Sequence, residues 1–271
     1  MIVLGHLGPI RWMRCDMANP PLRFSVCVET LFKEKPFEQR LEYVHDLGFP
    51  AFEFWTRQGK DMNITLALKM ALRLEVSAFV GSTASLVDPA QHQQFFADIN
   101  RAAALAFDLS CANLIITSGT CVPGMSRQDQ RANLLDALHA AAETACDADV
   151  TLVLKPLNQH DHPNTFLSSS DEGFEIVRTV NSPHLRLCYD LYHQQITEGN
   201  LTRRISENLD LIGHIQVADV PGRHEPGTGE INYEHIFGLL RELGYKGFVG
   251  LEYNSLVDDT ASLRAVRAMS Q

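Results

Sequence analysis

Polar side chains gather at the ends of the last four strand-like segments of this 271-residue chain. These ends are "KPLN", "YDLYH", "HIQVADVPGRHE" and "GLEY". Asp190, Gln216 and Glu252 belong to three consecutive segments and supply two carboxylates and one amide oxygen. Hard oxygen donors of this kind suit Mg²⁺ or Mn²⁺ better than a thiolate-preferring zinc site. The residues therefore predict a site for a divalent metal that still lacks a fourth ligand.

The fourth ligand should come from the end of the segment "TLVLKPLNQ", and the residue there is Lys155. A lysine that ends a buried strand must be paired with carboxylates, turned to solvent or neutralised by its surroundings. Each of these outcomes gives the predicted site a different chemistry.

The same residues also have purely structural interpretations. Taken alone, Asp190 is typical of a helix N-cap, His193 of a satisfied half-buried histidine and Arg223 of a solvated loop cation. We interpret His160 and His162, in "QHDHP", as exposed loop residues. The site interpretation gains weight because three strand ends that converge on one pocket are not expected of unrelated N-caps.

Short apolar segments that could position these residues alternate with longer amphipathic ones. Eight strand-like segments begin at Arg23, Ala51, Val76, Asn113, Thr151, Leu185, Gly213 and Gly247. Strands that alternate with helices favour parallel pairing with right-handed crossovers. Strand alternation also predicts that His214 and Gln216 point to the same side, the barrel interior.

The segments between them have helical spacing. "PFEQRLEYVHDLGF" and "EHIFGLLRELGYKGF" repeat one arrangement of helix, glycine stop and strand, and "RQDQRANLLDALHAAAETA" is the clearest helix. An open doubly wound sheet would normally carry a glycine-rich phosphate loop after its first strand, and "CVETLFKEKP" is not one. We therefore predict an α/β fold, a (β/α)8 barrel, with functional residues on the loops that follow the strands.

Composition and charge limit the classes of molecule that this chain is expected to bind. The formal net charge is −10, and no basic stripe is present, so a small molecule is favoured over nucleic acid. No apolar run reaches the roughly 18 residues of a membrane span. Six scattered cysteines without a C-x-x-C pair fit free thiols in the cytoplasm. The sequence leaves room for a homo-oligomer.

Residues 1–21 are predicted to be a loose N-terminal extension, and residues 22–271 a single barrel domain. The first apolar stretch is followed rather than preceded by its charges, which is not the order in a signal peptide. Met17 is an alternative start, because "PLRFSVCVE" opens the first regular element soon after it.

The quoted residues resemble a known family. "HIQVADVPGRHEPGTGEINY", "GYKGFVGLEY", "YDLYHQQITEGNL" and "PLN" are similar to hydroxypyruvate isomerases, within the xylose-isomerase-like barrels that also include ketose 3-epimerases. The resemblance runs from about Phe24 to Tyr253 and is strongest after Leu152.

The resemblance implies a divalent metal, Mg²⁺ or Mn²⁺, on Asp190, Gln216 and Glu252, with Glu252 also moving the proton. It places His193 and Arg223 at substrate oxygens, and we assign Asn158 and His224 to the same pocket. The loops after the first three strands are expected to set specificity but contain no motif that identifies a substrate. Phe54 and Trp55 could line the pocket, with core packing expected for at least one of them.

The chain departs from the family at one catalytic position, because "KPLN" stands where the family has "EPLN". A lysine cation about 4 Å from a divalent ion would cost roughly 8 kcal/mol at an effective dielectric of 20. Neutralising that lysine at pH 7 would cost about 4.6 kcal/mol. We therefore predict that Lys155 weakens or abolishes metal binding and forms an ion pair with Asp190 and Glu252. A Schiff-base role for Lys155 is a further alternative.

Three functions are compatible with these residues. The first is a metal-assisted isomerase of a small hydroxy-oxo acid or sugar that works through an enediol, with activity impaired by Lys155; a ketose 3-epimerase is a variant of it. The second is a barrel of the same family that binds a ligand without catalysis. The third is an abasic-site endonuclease, which would need several zinc ligands and a basic face.

Overall fold

The computed structural model describes residues 21–270. Eight parallel strands close into a barrel in chain order, because the first strand pairs with both the second and the eighth. The predicted (β/α)8 fold is confirmed. The predicted extension lies outside the described residues except for Pro21, and so does Met17 as an alternative start.

The strands coincide with the eight predicted segments. They are Arg23–Cys27 (β1), Ala51–Phe54 (β2), Glu75–Val80 (β3), Asn113–Ile116 (β4), Thr151–Leu154 (β5), Leu185–Asp190 (β6), Ile212–Val217 (β7) and Phe248–Leu251 (β8). The helices are Phe37–Asp46 (α1), Met62–Leu72 (α2), His92–Leu109 (α3), Arg127–Asp147 (α4), Ser170–Val180 (α5), Leu191–Thr197 (α6), Leu201–Asn208 (α7), Tyr233–Glu242 (α8) and Asp259–Met269 (α9).

The strands are almost wholly buried because helices cover their outer side and side chains fill their inner side. Three of the four residues of β5, for example, are buried, and the first is half-buried. The large apolar residues form one main cluster between strands and helices, while a smaller cluster of Ala78, Ile115, Val153 and Cys188 is separate from it. This two-layer packing is what closes a barrel without a pore.

The repeated helix–glycine–strand arrangement is real in three dimensions. After α1, Gly48 has φ +75° and the N–H of Phe49 donates to the Val44 carbonyl at 3.1 Å. After α8, Gly244 has φ +71° and the N–H of Tyr245 donates to the Leu240 carbonyl at 2.9 Å. Both are left-handed C-caps that favour glycine, and they turn the chain back into the next strand.

The predicted long helix is α4, and its N-cap is Ser126. The Ser126 hydroxyl accepts a hydrogen bond from the N–H of Asp129. None of the helices in residues 21–270 has the length and apolar character needed to cross a bilayer. The five cysteines of this part of the chain are free thiols.

Candidate active site

Four charged side chains from different strand ends meet at the carboxyl end of the barrel. The Lys155 ammonium lies 2.9 Å from Asp190 Oδ2 and 2.7 Å from Glu252 Oε2. Arg223 Nη2 lies 2.8 Å from the same Glu252 oxygen and 3.8 Å from Asp190 Oδ2. We call these four residues the pocket cluster. The lysine and the two carboxylates are buried. The Arg223 side chain is 21% exposed, so it lies on the solvent side of the cluster.

The backbone explains why these side chains converge. Lys155 and Glu252 each follow the last residue of a strand, and Asp190 is the last residue of β6. The backbone N–H of Lys155 still donates to Ile116, and that of Glu252 to Val217, so both residues keep the direction of the sheet. Because β5 and β8 are not neighbours, the bond between Lys155 and Glu252 crosses the barrel interior.

Asp190 acts both as a helix cap and as a member of the cluster. Its Oδ1 accepts from the backbone N–H groups of Tyr192 at 3.0 Å and His193 at 3.4 Å, at the start of α6. Its Oδ2 faces Lys155. The two sequence interpretations of Asp190 were therefore not exclusive, because a carboxylate has two oxygens for two tasks.

Mutual pairing keeps all four groups charged. Burial alone would raise the pKa of Glu252, but Lys155 and Arg223 outweigh burial and hold that pKa far below its ordinary value. Asp190 is shifted in the same direction, by Lys155 first and then His193 and Arg223. Burial would lower the pKa of Lys155, yet the two carboxylates raise it well above its ordinary value. Lys155 is thus an ammonium, which disfavours a Schiff base, since that chemistry needs a neutral amine.

His193 presents an unpaired donor beside the cluster. The backbone N–H of Asn158 donates to His193 Nδ1 at 3.1 Å, so Nδ1 is an acceptor and Nε2 carries the hydrogen of the neutral ring. Burial lowers the pKa of His193 to about 4, although Asp190 opposes the shift, so the ring is neutral near pH 7. Nε2 is buried, lies 3.6 Å from Asp190 Oδ2 and has no hydrogen-bond partner among the described residues.

Trp55 holds the second oxygen of Glu252. Its indole N–H donates to Glu252 Oε1 at 2.8 Å, while the ring is 43% exposed. Phe54 is buried and stacks on Phe79, with ring centroids 5.1 Å apart. The expectation that at least one of the two aromatic residues belongs to the core holds for Phe54, and Trp55 forms a wall of the pocket.

The loop after β7 carries Arg223, and hydrogen bonds to the buried carboxylate of Asp219 hold this loop in place. Asp219 accepts hydrogen bonds from four backbone N–H groups, those of Val220, Gly227, Gly229 and Ile231, at 2.9 to 3.0 Å. A Cβ on Gly229 would come within 2.0 Å of the Val220 carbonyl oxygen, so only glycine fits there. No role was assigned to Asp219 from the sequence; its signal is an aspartate placed two residues before a Pro-Gly turn.

His224 supports the same loop. Its Nδ1 lies 2.8 Å from the backbone oxygen of Asn254, and the N–H of Asn254 donates to the Arg223 carbonyl at 2.9 Å. The histidine therefore ties the loop after β7 to the chain that follows β8. Its assignment to the substrate stays a prediction. His160 and His162 are exposed, as expected, although the His162 ring lies 5.5 Å from that of His193.

A second polar group lies inside the barrel around Glu53, which sequence reasoning did not single out. Glu53 Oε1 accepts from Gln216 Nε2 at 2.7 Å, and Oε2 lies 2.7 Å from His214 Nε2 and 3.3 Å from Ser77 Oγ. We call these four residues the barrel cluster. His214 and Gln216 share one side of β7, as strand alternation predicts. A Cβ on Gly250 would meet Glu53 Oε2 at 2.4 Å, so this glycine makes room for the carboxyl group. The signal was a lone glutamate in the apolar strand "AFEF".

Comparison with known proteins decides the family. A family model described as xylose isomerase-like TIM barrel matches residues 41–269, which is most of the chain. The chain belongs to this family. It is also 31% identical over 251 residues to a hydroxypyruvate isomerase of Escherichia coli, covering 90% of this chain and 97% of the relative. A 2-oxo-tetronate isomerase of Cupriavidus necator is 32% identical over 251 residues, with coverages of 89% and 96%.

Among solved structures of xylose isomerase-like barrels, one named as an AP endonuclease of family 2 from Brucella melitensis superposes with a TM-score of 0.87. It is 29% identical to this chain, and the match covers 93% of this chain and all of that one. The similarity to the hydroxypyruvate and 2-oxo-tetronate isomerases covers 90% and 89% of this chain.

The donor set of this member of the family does not fit a divalent ion. Two of the three predicted ligands, Asp190 and Glu252, direct an oxygen at the Lys155 ammonium. The third, Gln216, gives its amide N–H to Glu53, and its oxygen lies 3.3 Å from Cys188 Sγ. Within residues 21–270 no group of three or more His, Cys, Asp or Glu side chains has an arrangement that could hold a metal.

Proposed function

We propose that this chain is an isomerase of a small hydroxy-oxo acid or a related sugar. The observation that carries the proposal is the pocket cluster itself: a charged carboxylate, Glu252, stands beside two cations and an unpaired N–H donor, His193 Nε2. The relatives named as hydroxypyruvate and 2-oxo-tetronate isomerases support the substrate class. A small molecule is accordingly the partner of this pocket.

In the proposed reaction, Glu252 removes a proton from the carbon that carries the hydroxyl group. The electrons of that C–H bond form a carbon–carbon double bond, and those of the carbonyl double bond move to its oxygen. Cationic and N–H groups at the pocket stabilise this enediolate oxygen. Glu252 then returns the proton to the neighbouring carbon, while a hydroxyl proton passes from one oxygen to the other. The product is an isomer of the substrate, and no other reactant is consumed.

The surroundings of Glu252 also support the weak activity predicted from Lys155. A general base is most effective when its pKa lies near the working pH. Lys155 and Arg223 hold the pKa of Glu252 far below that range, and Trp55 occupies its other oxygen. We therefore expect turnover to be slow, and the ligand-binding barrel without catalysis is the limiting case of the same effect.

Proton exchange tests the proposal directly. The purified chain is incubated in D₂O with hydroxypyruvate or a 2-oxo-tetronate, and NMR records both the isomer and deuterium at the two carbons. The native chain should show both signals, and Glu252→Gln should lower them by about a thousandfold. Glu143→Gln, an exposed change on α4, is the matched control.

The outcomes separate the alternatives. Substrate that binds without deuterium exchange would identify a ligand-binding barrel and defeat the isomerase proposal. Inversion at C3 of a ketose, without movement of the carbonyl group, would identify the epimerase variant. A shift of abasic duplex DNA at low salt, followed by its cleavage, would support the endonuclease alternative.

A further inference from the structure

The pocket cluster is electrically balanced without an added ion. Lys155 and Arg223 are paired with Asp190 and Glu252 at 2.7 to 3.8 Å, so two formal positive charges face two formal negative charges. With a glutamate in place of Lys155, three carboxylates would face Arg223 alone, which leaves a charge of minus two. One divalent cation would restore neutrality. A lysine at this position, or a glutamate together with a divalent ion, would therefore each make the cluster electrically neutral.

The two cations would also compete for the same oxygens. An Mg²⁺ ion bound to Asp190 Oδ2 and Glu252 Oε2 would lie about 2 Å from each of them. The Lys155 nitrogen is 2.9 and 2.7 Å from those same atoms, at hydrogen-bonding distance. Arg223 adds a second positive charge at 2.8 Å from Glu252 Oε2. A metal ion would have to displace Lys155 or face two cations across a few ångströms.

An ammonium group can also serve a substrate. It has three N–H donors, and two of them are directed at Asp190 and Glu252. The third could serve an oxygen of a bound molecule, since the unpaired N–H of His193 lies beside the same Asp190 oxygen. A fixed positive charge at this place favours the negative oxygen of an enediolate.

We propose that the Lys155 ammonium takes the place of a divalent cation in this barrel, so that the site keeps Asp190 and Glu252 in position and works without a metal. The statement about the reaction rests on the proposed isomerase function, whereas the statement about the cation does not. Metal binding and turnover are therefore measured separately.

The deciding experiment titrates the full chain with MnCl₂ and follows free Mn²⁺ by electron paramagnetic resonance. The native chain should bind no stoichiometric Mn²⁺ at up to about 1 mM, and Lys155→Glu should bind one ion at least about a hundredfold more tightly. Lys246→Glu makes the same change of net charge at an exposed site and should bind as weakly as the native chain. One tightly bound Mn²⁺ on the native chain would overturn the proposal.

A second variant keeps the test decisive if Lys155→Glu does not fold without metal. Lys155→Gln removes the cation without adding a carboxylate, and it should bind Mn²⁺ at least about tenfold more tightly than the native chain. An affinity equal to that of the native chain would show that the ammonium does not exclude the ion.

Turnover is then assayed with and without EDTA. Native turnover that survives EDTA supports a metal-free reaction, and turnover that requires Mn²⁺ contradicts it while leaving the isomerase proposal intact. The expected Mn²⁺ titrations without any turnover would defeat the isomerase proposal and leave the cation replacement standing.

Discussion

The pocket cluster and the barrel cluster both bury carboxyl groups in one barrel, but they hold them in opposite ways. In the pocket cluster, Glu252 is bound by an ammonium, a guanidinium and an indole N–H. In the barrel cluster, Glu53 is bound by an amide, an imidazole and a hydroxyl group. Glu53 is 1% exposed, whereas Arg223 opens the pocket cluster to solvent.

The pocket cluster is arranged as a candidate binding site, whereas the barrel cluster stabilises the barrel interior. The pocket cluster lies at the carboxyl end of the barrel, next to the unpaired donor His193 Nε2. A polar molecule that enters there can replace some of the ion pairs with its own contacts. The barrel cluster is closed around its carboxyl group and fixes the side chain of Gln216. Barrel enzymes place their functional groups at the carboxyl ends of the strands, so the pocket cluster, rather than the barrel cluster, is the candidate site.

Removing the charge of Lys155 should have the largest effect on stability. Lys155→Met leaves two buried carboxylates, Asp190 and Glu252, facing Arg223 as their remaining cationic partner in the pocket cluster, so the free energy of unfolding should fall by about 3–5 kcal/mol. Urea denaturation measures this loss. Arg23→Met breaks an exposed ion pair with Glu75 and should cost less than about 1 kcal/mol. Equal losses in the two variants would show that the pocket cluster is not a strongly coupled group.

The barrel cluster should respond less strongly. Glu53→Gln turns an amide NH₂ group toward one of the donors His214 or Gln216 and so loses a buried hydrogen bond, at about 1–3 kcal/mol. Turnover should change less than about tenfold, because the hydrogen bonds of Glu53 go to Gln216 and His214 rather than to the pocket cluster. Denaturation and steady-state kinetics on the same sample check both parts. A collapse of turnover with unchanged stability would place Glu53 in the reaction itself.

Trp55→Phe tests the third partner of Glu252. The phenyl ring keeps a wall of the pocket but has no N–H for Glu252 Oε1. Water can replace part of the lost bond because this side chain is 43% exposed, so kcat should fall only about threefold to tenfold with stability nearly unchanged. An unchanged kcat would mean that the indole hydrogen bond does not orient the base.

Asp161, at the rim of the pocket, should show the smallest effect. Burial would raise its pKa, but hydrogen bonds from His160, Tyr192 and Asn158 lower it to about 2. A carboxyl group with a lowered pKa in the folded state stabilises the fold above pH about 4, and this contribution is lost as the pH falls through about 2.

The size of this contribution is below about 1 kcal/mol, since solvent screens a side chain that is 28% exposed. The check compares native and Asp161→Asn free energies of unfolding at pH 5, 4 and 3. Their difference should shrink toward low pH, and a constant difference would contradict the hydrogen-bond explanation.

Most of the fold could be predicted from sequence because its signals are local. Strand-like segments alternate with amphipathic ones, and glycines such as Gly48 and Gly244 end two of the helices. The segments "KPLN" and "GLEY" could also be assigned to strand ends. The partner of Gln216 could not be predicted, because Glu53 and Gln216 are brought together only when the barrel closes.

The sequence by itself determined an eight-stranded barrel, the strand-end positions of Asp190 and Glu252, and a lysine where the family has a glutamate. Only the tertiary structure decided that Lys155 lies between both carboxylates, that Asp190 also caps α6, and that Gln216 faces Glu53. The physical reason is that periodicity and propensity act over a few residues, whereas pairing of buried charges depends on distances across the barrel. Those distances are set by strands far apart in the chain.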